Sequence, residues 1–315
     1  MKLQTQIALK PEAHQMDYTS KVLLMGSCFT ENIGGKLDYF KFQNLQNPFG
    51  IVFHPMAIEV LVSRALEDRA YTEKDVFFYN EQWHCFEVHS VLSTSTKEDF
   101  LQKLNNSLAQ LRAALLGASH LIFTYGTAWV YRHQKTNAPV ANCHKLPQQE
   151  FKKELLSVAT LAESIQNTVQ RIQAVKPSAV IIGTVSPVRH LRDGFVENTQ
   201  SKAHLIAGLH KAMAASKGLY YFPSYELMMD ELRDYRFYAE DMLHPNTTAI
   251  SIIWERFKEV WVASATDALQ KEIDTVQRGL QHRPFHPESE THRAFQKTLQ
   301  QKISALQREL PHIAF

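Results

Sequence analysis

Length, charge and cysteine content limit what this chain can be. With 315 residues, 44% of them hydrophobic, it is long enough to bury an α/β core and to carry an appendage. A formal net charge of +2 gives no electrostatic footprint for nucleic acid, and three cysteines argue against a disulfide framework. The first residues lack the apolar segment of a signal peptide, and no apolar run approaches a membrane span. We expect a soluble cytoplasmic protein with no nucleic-acid or membrane partner.

Strands and helices are predicted to alternate along most of the chain. Apolar or alternating runs predict strands over residues 21–25, 40–45, 119–125, 179–185 and 219–222. Apolar stripes at helical spacing predict helices over residues 97–116, 149–174, 202–216 and 252–262. Residues 54–95 fit this alternation poorly, and we interpret them as an insertion with a β-hairpin around residues 80–82. The pattern predicts an α/β fold with a doubly wound, five-stranded parallel sheet.

The C-terminal segment predicts helices of a different kind. Two apolar stripes, broken by Pro284 and Pro287, run through Leu269, Ile273, Val276 and Leu280, and then through Phe295, Leu299, Ile303, Leu306 and Leu310. We therefore divide the chain into an α/β domain over residues 1–262 and a helical extension over residues 263–315. The extension is expected to pack on the domain or on a second copy, which makes it the candidate surface for a homo-oligomer.

The turn after the first strand carries the strongest chemical motif. Gly26-Ser27-Cys28 sets a hydroxyl and a thiol between a buried strand and a helix that we expect Thr30 to cap. Such turns present a nucleophile and backbone N–H groups at the carboxyl edge of a sheet. We favour Cys28 over Ser27 as the nucleophile, since a thiol beside a histidine needs less activation than a hydroxyl. The alternative is that Cys28 is a small packed side chain.

A second motif lies near the end of the predicted domain, where Asp241 precedes His244 by three residues. A histidine can take the proton of a nucleophile, and an aspartate can orient its ring and stabilise the imidazolium. Taken alone, this spacing also occurs in solvated turns. Together with the Gly26-Ser27-Cys28 turn it predicts a catalytic triad.

The two motifs resemble a known family. Residues 26–31, Gly-Ser-Cys-Phe-Thr-Glu, align without a gap with the Gly-Asp-Ser-Leu-Thr-Glu block of the SGNH/GDSL hydrolases, and their start is similar to the Gly-Ser-Cys-Phe signature of the GSCFA family. The resemblance covers about residues 20–250. It implies an SGNH-hydrolase-like three-layer α/β/α fold, Cys28 at the nucleophile position, His244 as base and Asp241 as its orienting partner.

The resemblance also implies an oxyanion hole, and here the sequence departs from the pattern. Gly50 is placed to be the oxyanion glycine, although it is equally well read as a turn glycine. Ala128 stands where the family has an asparagine donor. Asn142, in the loop after the same strand, is the expected substitute.

Further residues at the predicted strand ends are candidates for binding substrate. Trp129 and Tyr131 are candidate pocket walls, with core packing as the alternative for Trp129. Arg189 and His190 follow the fourth strand and are candidate substrate contacts, or else solvated residues. The scattered Cys and His residues lack zinc-site spacing, so we expect no metal and no cofactor.

These features lead to an expected function and its alternatives. We expect an esterase, acyl hydrolase or acyltransferase that works through a covalent acyl-enzyme on a small-molecule or carbohydrate ester, with carbohydrate O-acyl esters implied by family resemblance only. The main alternative is a non-catalytic binding protein that keeps the pocket, which Ala128 favours. A Cys/His metal protein is the third.

Overall fold

A computed structural model describes residues 5–315. Its strands are β1 (Lys21–Gly26), β2 (Gln43–Gln46), β3 (Phe77–Tyr79), β4 (Gln82–His84), β5 (His120–Tyr125), β6 (Trp129–His133), β7 (Pro139–Val140), β8 (Phe151–Leu155), β9 (Val180–Val185) and β10 (Leu219–Phe222). Its helices are α1 (Cys28–Tyr39), α2 (Pro55–Leu66), α3 (Lys97–Gly117), α4 (Val158–Val175), α5 (Phe195–Ala215), α6 (Ser224–Glu226), α7 (Thr247–Trp261), α8 (Asp267–Gln281) and α9 (Glu290–Glu309).

The central sheet has five parallel strands in the order β10-β9-β5-β1-β2, which confirms the predicted sheet. After β1 the chain pairs β2 on one side and later returns with β5 on the other. The strand order therefore reverses between β1 and β5. In open parallel sheets a ligand site lies beyond the carboxyl ends of the strands at such a reversal.

Helices cover both faces of the sheet, as the predicted three-layer architecture requires. Alternate residues of β1 enter different cores: Leu23 packs with α2, α3, α4 and α5, and Leu24 packs with α1 and α7. Because strands covered on both faces must be apolar throughout, β5 and β9 are buried along their whole length. Their continuous apolar runs are why both strands could be predicted from the sequence.

The C-terminal helices α8 and α9 pack on the core domain. Their buried residues Ile273, Val276 and Ile303 belong to the same core as α1 and α7. Tyr39 on α1 also donates a hydrogen bond of 2.8 Å to Asp274. The two helices are confirmed, although Leu280 and Phe295 of the predicted stripes are exposed, and the homo-oligomer contact stays a prediction. Among residues 5–315, none of the helices combines the length and apolar character needed to cross a bilayer.

Several predicted boundaries were wrong, and one sheet was missed. Residues 129–155 contain a three-stranded antiparallel sheet, β7-β6-β8, that was not predicted, and the helix expected from residue 149, α4, begins only at Val158. Helix α5 begins at Phe195 rather than residue 202, and α7 at Thr247 rather than residue 252. Helix α7 opens with two threonines, and helix α5 opens with Phe195 and Val196, which are exposed and lie outside the buried stripe of that helix, so in both cases the stripe begins later than the helix.

The segment 54–95 contains more than the predicted hairpin. The hairpin is present as β3 and β4, with Asn80 and Glu81 at positive φ in its turn. The same segment also holds α2, which was not predicted and which packs between α3 and α4.

Candidate active site

The turn after β1 brings the nucleophile candidates to the switch point of the sheet. Gly26 has φ +148°, and a Cβ there would lie 2.3 Å from the Thr124 carbonyl oxygen of β5, so this position requires glycine. The Ser27 N–H donates to the same carbonyl at 3.1 Å. β1 and β5 therefore stay together up to the residue that precedes Cys28.

Ser27 and Cys28 have different surroundings. Ser27 is 2% exposed and is the N-cap of α1, with its Oγ accepting a hydrogen bond from Phe29 N–H at 3.2 Å. The expectation that Thr30 caps the helix was wrong, because α1 starts two residues earlier. Cys28 is the first helical residue and is half-buried. The Ser27 hydroxyl thus serves the helix end, whereas the Cys28 thiol has no such role in the helix cap.

The thiol of Cys28 is held in its protonated form at rest. Burial raises its pKa, and the negative charge of Glu31 raises it further. Backbone N–H groups of the helix start and the positive charge of Lys202 oppose these effects. A thiol whose pKa is raised becomes a strong nucleophile only after a base removes its proton.

The Asp241–His244 pair has the geometry of a base and its orienting partner. Asp241 Oδ2 lies 2.6 Å from His244 Nδ1, and Asp241 Oδ1 accepts from the backbone N–H groups of His244 at 3.0 Å and Leu243 at 2.9 Å. The backbone hydrogen bonds, that from His244 first, lower the Asp241 pKa to about 2. A carboxylate on Nδ1 fixes the proton there and leaves Nε2 free to accept one.

The loop that carries His244 is tied to the end of β9. Arg189 N–H donates to the Leu243 carbonyl at 3.1 Å, and the Arg189 guanidinium lies 4.1 Å from the centre of the Tyr238 ring. Both side chains line a cavity of about 130 Å³ beside the loop. Arg189 thus holds the loop and also faces a small space that a substrate group can enter.

His190, the next residue, lies deeper in the site. Its Nε2 is buried without a hydrogen-bond partner among the described residues, and a Cβ on Gly126 would lie 3.1 Å from it. Burial, followed by the positive charges of Lys202 and His244, lowers the His190 pKa to about 3. The ring is therefore neutral and lies between the loop of His244 and the end of β5.

Lys202 was missed in the sequence. It is 1% exposed, and its Nζ donates to the carbonyls of Gly126 and Ser186, each at 2.7 Å. Burial lowers its pKa to about 7, and Cys28 opposes that shift. The sequence did hold one signal for Lys202, which lies on the same helical stripe as Leu205, Leu209 and Ala212. A charged side chain on an apolar helix face is rarely buried unless the protein supplies it with hydrogen-bond or ionic partners.

The predicted oxyanion residues are not arranged as expected. The Gly50 N–H donates to the Asn47 carbonyl at 2.8 Å in a tight turn, which favours the reading as a turn glycine over the oxyanion reading. Ala128 N–H donates to Ser201 Oγ at 2.7 Å. Asn142 Oδ1 accepts from His144 N–H at 2.8 Å, which leaves its NH₂ group as the only side-chain donor of this set.

Trp129 and Tyr131 lie on β6, outside the group of residues just described. The Trp129 indole N–H donates to the Glu197 carbonyl on α5 at 3.2 Å. Lys153 covers both rings, at 4.8 Å from the Trp129 centre and 5.9 Å from that of Tyr131. Within residues 5–315 neither ring contacts Cys28 or His244 through a hydrogen bond or ring stacking. These contacts are packing contacts of the small sheet, and the role of both residues as pocket walls stays a prediction.

The part of the chain that the structure describes, residues 5–315, brings no three His, Cys, Asp or Glu side chains together as metal ligands. Two histidines, His84 and His144, lie close together, with ring centres 4.6 Å apart and ring planes tilted by 36°. The ring nitrogens of His84 are hydrogen-bonded to the Ser93 hydroxyl and the Tyr79 carbonyl, and His144 Nε2 is hydrogen-bonded to the Cys85 carbonyl. Their role is the packing of the inserted hairpin on the 142–145 loop.

Comparison with known proteins gives two family matches. A family model described as GSCFA family matches residues 21–257, and one described as GSCFA domain protein, C-terminal domain, matches residues 273–315. No curated protein matches the sequence. Among solved structures the chain is similar to a "Clostridium thermocellum family 3 carbohydrate esterase", at 10% identity and a TM-score of 0.36, over 80% of this chain and 98% of that chain.

Proposed function

The chain belongs to the GSCFA family, and from this premise we propose that it is an enzyme that removes acyl groups from esters through a covalent thioester on Cys28. The observation that carries the proposal is the oriented pair of Asp241 and His244, joined at 2.6 Å. Its loop is hydrogen-bonded to the end of β9, at the sheet edge that also bears Cys28. A pocket that only binds a ligand has no use for a base held in one tautomer.

The proposed reaction has two stages. His244 Nε2 takes the proton of the Cys28 thiol while the sulfur attacks the ester carbonyl carbon, and the imidazolium then gives this proton to the leaving alcohol. The product is a thioester on Cys28. A second acceptor, deprotonated by His244, attacks the thioester and releases Cys28 as a thiol. Water as the acceptor gives hydrolysis, and another alcohol gives acyl transfer.

Negative charge on the carbonyl oxygen needs donors, and two are proposed. The Cys28 N–H lies at the first position of α1, where helix N–H groups have no partner within the helix. The side-chain NH₂ of Asn142 is the second proposed donor. Its amide oxygen is fixed by His144 N–H, so the NH₂ group can point away from the loop.

Carbohydrate O-acyl esters are the proposed substrate class, and Arg189 and His190 are the proposed substrate contacts. Both follow β9 and lie beside the His244 loop. The neutral, unpartnered His190 Nε2 offers a hydrogen-bonding atom inside the site, which suits a hydroxyl group of a sugar.

The second candidate function is ligand binding without turnover. The specific observation in its favour is the oxyanion region: the N–H groups of Gly50 and Ala128 are already hydrogen-bonded, and Ala128 supplies no side-chain donor. A site of this kind would bind an ester and cleave it slowly or not at all.

One experiment separates the two candidates. Turnover of p-nitrophenyl acetate and of an acetylated xylo-oligosaccharide is measured for the wild type and for Cys28→Ala, His244→Ala and Ser27→Ala. The enzyme proposal expects turnover that is lost in the first two variants and retained in Ser27→Ala. No turnover by the wild type on either ester, with calorimetric binding of the oligosaccharide intact, would favour the binding protein. Loss in Ser27→Ala and His244→Ala, with turnover retained in Cys28→Ala, would make the hydroxyl the nucleophile.

A further inference from the structure

Lys202 is a lysine whose side chain is buried in the described part of the chain. It is 1% exposed, and its hydrogen bonds go to carbonyl oxygens alone, those of Gly126 and Ser186. Among residues 5–315 no carboxylate pairs with it. Burying an ammonium group without a counter-ion is unfavourable, so such a group loses its proton more readily, as the lowered pKa of Lys202 indicates, or it interacts with negative charge in some state of the protein.

The pairing of β1 with β5 brings the carbonyls that bind this group close to the turn that carries Cys28. Gly26 of β1 pairs with Thr124 of β5, and Ser27 N–H donates to the Thr124 carbonyl, two residues before Gly126. Ser186 N–H in turn donates to the Tyr125 carbonyl. The lysine that binds both Gly126 and Ser186 therefore lies at the carboxyl ends of β5 and β9, next to the end of β1 from which Cys28 follows.

We propose that Lys202 is a positioning residue of the reaction, whose buried ammonium group stabilises the negative charge that forms on the sulfur of Cys28. This inference rests on the proposed function only in taking Cys28 as the reacting thiol. Lys202 transfers no proton and forms no bond: the thiol proton goes to His244, and the ammonium group acts through its charge. The carbonyls of Gly126 and Ser186 hold it in place.

Other charged groups set the pH range in which Lys202 acts. Glu31 on α1 faces Cys28 with the opposite effect, and His190 and His244 approach from the loops after β9 and before α7. Tyr225 on α6 lies under the ammonium group, 5.8 Å from ring centre to Nζ. Burial brings the Lys202 pKa to about 7, so its charge is present below that pH and is lost above it. His190 is uncharged at any pH above about 3 and does not compete.

The test measures the reactivity of Cys28 towards iodoacetamide from pH 5.5 to 9, with the alkylated peptide identified by mass spectrometry so that Cys85 and Cys143 are scored apart. For Lys202→Gln we expect alkylation of Cys28 to slow by about tenfold or more below pH 7 and to approach the wild-type rate above pH 8. If Lys202 only holds the strand ends together, the ratio of the Lys202→Gln rate to the wild-type rate would be the same at every pH. That result would overturn the inference.

Two controls complete the test. Lys211→Gln removes an exposed lysine from the same helix and is expected to match the wild type throughout. The wild type alone also reports on Lys202, so the test does not depend on folding of the variant: its alkylation rate should level off for about one pH unit above pH 7, where the loss of the ammonium charge offsets the gain in thiolate. A tenfold rise per pH unit without a break would contradict the inference. Alkylation needs no ester, so these outcomes are independent of whether the protein turns over an ester.

Discussion

Asp241 and His244 are joined at 2.6 Å, and the second oxygen of the same carboxylate accepts two backbone N–H groups of the loop. One oxygen of the Asp241 carboxylate is thus held by the loop backbone, and the other orients the His244 ring. Met242, between the two residues, has a positive φ of 58°. This backbone strain is the cost of a loop that presents an oriented histidine at its surface.

Replacing Asp241 with asparagine should lower kcat strongly and thermal stability only slightly. The amide can keep one acceptor for the loop N–H groups but meets His244 Nδ1 with a donor, which favours the wrong tautomer. We expect kcat for an activated ester to fall by about 10²- to 10⁴-fold. Steady-state kinetics and a thermal melt measure the two effects separately. Asp230→Asn, at an exposed carboxylate paired with Arg233, is the matched control and should leave kcat unchanged.

The same carboxylate should make the wild type lose stability in acid relative to that variant. The Asp241 pKa is about 2 in the folded protein and 3.8 in the reference state, so folding is favoured by the ionised form. The contribution is complete above about pH 4 and is lost as the pH falls towards 2. Urea unfolding at pH 5 and pH 3 should show the stability difference between wild type and Asp241→Asn shrinking at the lower pH. A stability difference that is larger at pH 3 than at pH 5 would contradict a lowered Asp241 pKa in the folded protein.

Two glycines at the start of the chain should respond in opposite directions to alanine. A Cβ at Gly26 meets the Thr124 backbone at 2.3 Å in a φ that alanine rarely adopts, so Gly26→Ala should destabilise the protein by more than about 2 kcal/mol. Gly35 lies in α1 with nothing within 4 Å of an added Cβ, and Gly35→Ala should stabilise by about 0.5–1 kcal/mol. Urea denaturation of both variants checks the pair, and equal effects would argue against the turn geometry.

The insertion should depend on one buried arginine. Arg64 on α2 is 1% exposed and donates to Asp75 at 2.8 Å and to Glu87 at 3.0 Å, on either side of the hairpin. Arg64→Met leaves both carboxylates without their partner, and we expect a loss of about 3–5 kcal/mol. Arg233→Met removes an exposed ion pair with Asp230 and should cost less than about 1 kcal/mol. Chemical denaturation compares the two, and a small effect at Arg64 would contradict the anchoring role.

Local patterns in the sequence predicted more than distant ones. The strands β1, β5 and β9 are buried on both faces, and their apolar runs are unambiguous. Asp241 and His244 are three residues apart, so their pairing is readable from spacing. By contrast, β8 carries Lys152, Lys153 and Glu154, and its Leu155 continues the stripe of α4, which made the strand look like a helix.

The parts of the site that depend on tertiary contacts were not predictable in the same way. The bond from Lys202 to Gly126 joins residues 76 positions apart, and only the sheet register brings them together. Likewise, Gly50 fits an oxyanion motif by sequence, but its N–H is taken by Asn47 within the turn. Whether a backbone donor is free is decided by hydrogen bonds that a motif does not encode.

The most direct test of the central claim is the mass of the enzyme during turnover. Wild type and His244→Ala are mixed with p-nitrophenyl acetate, quenched in acid within seconds, digested and examined by mass spectrometry. The account predicts an added acetyl group on the peptide that contains Cys28 in the wild type, which decays as substrate is exhausted, and a much slower appearance of it in His244→Ala. An acetyl group on Ser27 instead, or the same rate of acetylation in both proteins, would contradict a thioester formed on Cys28 with His244 as base.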